Sequence, residues 1–141
     1  MDHVVYVDAK DGELEKLLSG SKTMLIRGAA GRKLPHGRVH AGDRLFFIRN
    51  AADGLVRASA QVCGAFHSEK LSLEESRNLV EENQARLQLG PALAKRWSEK
   101  RYLVLIEVQD VTALEPFAID RSAYGNMDDW LPVGDIETVT V

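Results

Sequence analysis

Two helical excursions interrupt a chain that is otherwise rich in strand-like runs, and their positions limit the folds open to it. The clearer excursion is SLEESRNLVEENQARLQLG (72–90). Ser72 precedes it and Glu75 stands three residues on, the pattern of a capping box. Leu73, Leu79, Val80 and Leu87 then follow a rough helical stripe. Pro91 opens a second short helix that ends near Trp97. The earlier excursion, DGELEKLLSG (11–20), sets Leu14, Leu17 and Leu18 at helical spacing, with acids in its first turn and Gly20 as C-cap. Around these helices lie HVVYVDA (3–9), KTMLIR (22–27), DRLFFIRN (43–50), LVRASAQVCGAFH (55–67), YLVLIEVQDVTAL (102–114) and IETVTV (136–141). Most are rich in β-branched or aromatic residues and read as strands. The turn AADG predicts that the third and fourth pair as an antiparallel hairpin. About five to six strands with two or three helices predict an α+β chain, a small mixed β-barrel.

The chain has 141 residues, 45% of them hydrophobic, enough for one domain with a core of its own. No internal repeat, linker or low-complexity segment divides it. No apolar run approaches the roughly 20 residues that span a bilayer. The first residues carry early acids rather than the basic-then-apolar order of a secretory signal, so the expectation is a cytoplasmic protein without membrane partners. The single cysteine, Cys63, cannot form an internal disulfide, and its apolar surroundings predict a small buried hydrophobe.

Formal net charge is -3, yet the charges are segregated. No acid occurs between Glu15 and Asp43, where Lys16, Lys22, Arg27, Arg32, Lys33 and Arg38 lie; from Glu107 to the end there are eight acids and one base, Arg121. An acidic body with one electropositive surface follows from this. Residues 28–42, glycine-rich and aperiodic, predict a long loop of the kind that often carries function. On a regular strand over 22–27, Thr23 and Arg27 share a face and Lys22 lies opposite. Arg27 offers a planar fork for a phosphate or a base edge, Lys22 a point charge, and Arg32, Lys33 and Arg38 complete a wall facing an anion. A base needs a flat surface and a polar edge reader. Tyr124, Asn126 and Trp130 are the aromatic and amide residues clustered in a polar loop, and are candidates for that role. Trp97, at a helix end, reads as packing.

The four histidines, His3, His36, His40 and His67, lack metal-ligand spacing, and GAAGRK lacks the spacing and following helix of a phosphate-binding loop. Neither a metal nor a cofactor is expected.

Three pieces, in order, resemble the ASCH branch of the PUA-like superfamily: LLSGSKTMLIRG, then HAGDRLFFI with LVRASAQV, then the helical insertion before RYLVLIEVQDV. The EVE branch is a close neighbour. The resemblance implies a PUA-like β-barrel with a cleft and a partner that is RNA, a nucleotide or a modified base. Some ASCH proteins are hydrolases that remove acyl groups from a cytidine nitrogen. Their motif corresponds here to Lys22, to a threonine where this chain has Leu25, and to a glutamate matching Glu82 or Glu81. A leucine cannot attack a carbonyl, so the resemblance favours binding over an amidohydrolase built on Lys22 and Glu82. A protein-interaction domain on the same barrel is the further alternative.

Overall fold

The computed structural model describes all 141 residues. Strands β1 (Asp2–Val7), β2 (Met24–Ala29), β3 (Arg44–Arg49), β4 (Val56–His67), β5 (Tyr102–Phe117) and β6 (Trp130–Gly134) form one sheet in the order β2-β5-β4-β3-β1-β6. Only β1 and β3 run parallel; the remaining neighbours are antiparallel. The predicted hairpin is β3–β4, with Phe47 opposite Ala58. Strands β4 and β5 are long, and their pairing shifts register at three places. Bulges of this kind increase twist and bend a sheet. Here they curl six strands into a half-barrel whose edges, β2 and β6, are not hydrogen-bonded to each other.

Side-chain alternation sorts the core. Val5, Val7, Leu25, Leu45, Phe47, Ala58, Val104 and Ile106 point into the barrel, where α1 (Glu13–Ser19) adds Leu14 and Leu17. The other face of β2 and β5, with Met24, Ile26, Leu103 and Leu105, is covered by α2 (Leu73–Glu82), α3 (Gln84–Leu87) and α4 (Pro91–Ser98) through Val80, Leu87, Leu93 and Trp97. The capping box is formed: the Ser72 side chain accepts from Glu75 N–H and Glu75 accepts from Ser72 N–H. Helix α1 ends at Gly20, whose φ of 83° is costly for other residues.

Two expectations need correction. IETVTV is not a strand: Ile136–Thr138 is a single 3₁₀ turn, followed by an isolated bridge between Thr140 and Ile119. The last strand is instead β6, which pairs with β1 and begins at Trp130, a residue read from sequence as part of a polar loop. Cys63 is exposed, because Val62 takes the inward position on β4 and the next residue must face out. No helix is long and apolar enough to cross a membrane.

Candidate functional site

The unpaired edge of β2 leaves a seam across which it faces β1, and polar side chains fill that seam. Arg27, inward-facing like Leu25 two residues earlier, spans it: Nη2 donates to the Tyr6 carbonyl of β1 at 2.7 Å and Nη1 to the Ile26 carbonyl at 2.8 Å. The guanidinium lies 5.7 Å from the centre of the Trp130 ring, a cation–π distance. Arg27 is only 6% exposed. Its Nε forms no hydrogen bond, and the only carboxylate paired with it is Asp129, at 3.5 Å.

A cleft of about 240 Å³ opens over this arginine. Lys33, Arg96 and Lys100 line it with Arg27, and Asp129 is its only acid. Gly28 sits at its edge, where β2 presses so close to β5 that a Cβ would meet Leu103 Cδ2 at 2.7 Å and the Tyr102 carbonyl at 2.9 Å. Past Arg96 the cleft continues through a narrow neck, lined by Asp8 and Asn50, into a second hollow of about 550 Å³ between the start of α1 and that of α4. The whole forms a groove along α4, basic at one end and, at the other, lined by a mixture of apolar residues such as Leu93 and Pro91 with Asp11 and Lys10.

The basic segment divides when folded. Lys33 reaches the cleft. Arg32 instead pairs with Glu69 at 2.8 Å and lies over the Tyr102 ring, and Arg38 is exposed with no ion-pair partner. Residues 30–42 are a pinned loop rather than a loose one. His67 at the end of β4 accepts the Gly37 N–H on Nδ1 and donates from Nε2 to the Val39 carbonyl, while His36 Nε2 donates to the Ser68 carbonyl. Burial lowers the His67 pKa, outweighing the Val39 bond, and the nearby His36 and His40 push the same way. That favours the neutral ring these bonds require.

Lys22 and Trp130 do not present themselves to a ligand. Lys22 precedes β2 instead of belonging to it and is 1% exposed. Its Nζ donates to the Leu87 carbonyl and pairs with Glu13 at 3.4 Å. Burial lowers its pKa, with Glu13 opposing. The glutamate beside Lys22 is therefore Glu13, while Glu82 is exposed on α2. Leu25 is buried in the barrel, and Thr23 is exposed with no side-chain hydrogen bond. Trp130, 2% exposed, plugs the barrel: its Nε1–H donates to His3 Nδ1 at 2.9 Å, and His3 Nε2 in turn donates to Asp43 at 2.8 Å. Tyr124 packs on the cluster around Phe46 and Ile48 outside the barrel, and Asn126 is exposed. From that loop the cleft receives Met127 and Asp129 instead.

The residues missed from sequence are Arg96 and Lys100. The signal was present in KRWSEKR (95–101), with cations on both sides of Trp97. Only the packing of α4 on β2 through Leu93 and Trp97 brings them beside Arg27.

No protein-family model and no curated protein matches the chain. Solved structures do match in shape. A tyrosine-to-phenylalanine mutant of ZmASCH from Zymomonas mobilis superposes with a TM-score of 0.70 over 97% of this chain and 93% of that one, at 14% identity. ZmASCH itself gives 0.67 over 92% and 85%, at 12% identity. At this identity the likeness concerns the backbone: the chain has the ASCH-domain fold.

Proposed function

Starting from an ASCH fold, we propose that this protein binds RNA or a modified nucleotide, holding phosphate groups in the basic end of the groove. The observation that carries the reading is the convergence of Arg27, Lys33, Arg96 and Lys100 on one seam of a chain whose net charge is negative. Three different parts of the chain contribute these cations. Phosphate contacts supply the salt-dependent share of nucleic-acid affinity, and a planar guanidinium fixed in place also orients what it binds. Of the other surface pockets, one of about 440 Å³ between α2 and α4 mixes Arg77 and Lys95 with Glu81 and Glu99, and one of about 300 Å³ sets Arg86 against Glu107; neither has a comparable preference for an anion. No observation favours the acyl-cytidine hydrolase, since Leu25 is buried where that chemistry needs a hydroxyl and Lys22 is enclosed. Nor does an apolar docking face single out a protein partner.

Titration of a short single-stranded ribo-oligonucleotide across a salt series tests the proposal. Replacing Lys33, Arg96 and Lys100 together with Ala is expected to weaken binding and to reduce the salt slope by about 0.7 for each phosphate that is no longer neutralised. Replacing Arg32 and Arg38, which lie outside the cleft, is expected to do less. Equal effects of the two variants would refute the cleft as the binding site.

A further inference from the structure

The Nε–H of Arg27 is an orphan donor in a group nine-tenths buried. Both Nη atoms are committed to backbone carbonyls, so the guanidinium plane is fixed. Buried donors in folded proteins are almost always bonded, and an unsatisfied one points to a missing occupant. The only carboxylate within ion-pair reach, Asp129, stands 3.5 Å away without completing a hydrogen bond. Its side chain is 61% exposed at the mouth of the basic cleft. Its backbone, by contrast, is anchored, because the Asp129 carbonyl accepts the Tyr6 N–H of β1 at 2.9 Å. The carboxylate can therefore leave Arg27 by rotating its own side chain, with no movement of the loop.

From this we infer that Arg27 Nε is an anion subsite for a phosphate oxygen of the ligand and that Asp129 is its built-in competitor, occupying the subsite until a phosphate displaces it. The inference rests on the proposed binding of a phosphorylated ligand in this cleft. A carboxylate suits the role because it matches the charge of a phosphodiester oxygen but reaches Nε only at a distance too long for a good bond. A phosphate able to approach to about 2.8 Å forms the charge-assisted bond that Asp129 does not. Release of Asp129 alone would leave the buried guanidinium uncompensated, so the exchange requires the incoming phosphate to supply the negative charge in its place. The competitor thus sets a threshold: a ligand must offer an anion at this spot to bind well, and neutral nucleosides gain nothing from the exchange.

The experiment compares Asp129→Asn with Asp128→Asn, which removes the same charge one residue earlier, outside the cleft lining. Each is titrated with the single-stranded ribo-oligonucleotide and, separately, with inorganic pyrophosphate, while NMR follows the Arg27 Nε–H resonance. Asp129→Asn is expected to bind both probes about three- to tenfold more tightly than the unsubstituted protein, with the Arg27 resonance shifting on addition of pyrophosphate. Asp128→Asn is expected to change affinity by less than about twofold. Equal gains in the two variants would mean general electrostatics and overturn the competitor role. An Arg27 resonance that pyrophosphate does not move would overturn the subsite. If Lys33→Ala, Arg96→Ala and Lys100→Ala together weaken binding while Asp129→Asn leaves it unchanged, the cleft reading stands and this inference alone falls. Failure of every variant and of the unsubstituted protein to bind either probe would remove both.

Discussion

Lys22 and Glu13 are both withdrawn from water, and their energetics are those of a buried pair rather than of a surface charge. Each stabilises the other: Glu13 also accepts the Asp8 N–H at the start of α1, and Lys22 also donates to the Leu87 carbonyl at the end of α3. The pair therefore fastens α1 and the helical layer to the beginning of β2. Removing one member strands the other as an uncompensated buried charge, which typically costs about 3–5 kcal/mol. Lys22→Met is expected to lower stability by that amount in denaturant unfolding. Adding Glu13→Gln, which removes the stranded charge and keeps an acceptor for Asp8 N–H, is expected to recover most of the loss. Additive losses in the double variant would show that the two side chains act independently.

At the scale of the element, the loop over 30–42 is ordered by its neighbours more than by its own sequence. It has no helix or strand of its own, and Pro35 and Val39 are its buried residues. His67 grips it on both sides, through the Gly37 N–H and the Val39 carbonyl. The loop positions Lys33 over the cleft, so the clasp links β4 to the binding surface. His67→Phe keeps an aromatic ring but supplies neither bond. It is expected to raise the hydrogen-exchange rate of the Gly37 amide by tenfold or more and to leave amides inside β3 and β4 unchanged. Protection of Gly37 that survives the substitution would place the hold on the loop elsewhere, for instance in the His36 bond to Ser68.

For the whole molecule, the same histidine chemistry predicts how stability responds to acid. Burial holds the His3 pKa below its ordinary 6.5 despite the opposing Asp43 carboxylate, and burial likewise lowers that of His67. Both rings are neutral acceptors in the fold, His3 toward Trp130 and His67 toward Gly37. Below pH 6.5 the unfolded chain takes up protons that the folded one resists, so stability falls as pH falls through this window and levels out once the folded rings are also protonated. A second loss belongs to Asp2. Burial raises its pKa, but the Arg44 hydrogen bond, the Ile136 N–H and the Arg44 charge together bring it below 3.8. Its contribution is present above that value and disappears beneath it. Melting temperature is therefore expected to be flat from pH 8 to 7, to decline from about pH 6.5, and to decline again below about pH 4. His67→Phe is expected to shrink the first decline without removing it, because His3 remains. A melting temperature constant between pH 7 and 5 would contradict this assignment.

Local patterns determined much of this protein directly from the sequence. The capping box at Ser72, the glycine end of α1 and the β3–β4 hairpin depend on residues close together in the chain, so their signals are legible without the fold. So was the segregation of charge that marked residues 16–42 as basic. What the tertiary structure alone decided is which of those charges meet. Lys22 became a buried partner of Glu13 because α1 covers the start of β2, and Trp130 became a plug because β6 pairs with β1 and turns it toward His3. Arg96 and Lys100 joined Arg27 because α4 packs across β2. The 16-residue β5 and its register shifts gave the sheet its curl and left the β2 edge open. A seam of that kind belongs to no single segment: it exists only where the β2 edge of one curled sheet faces β1 without pairing, and that is where the cleft lies.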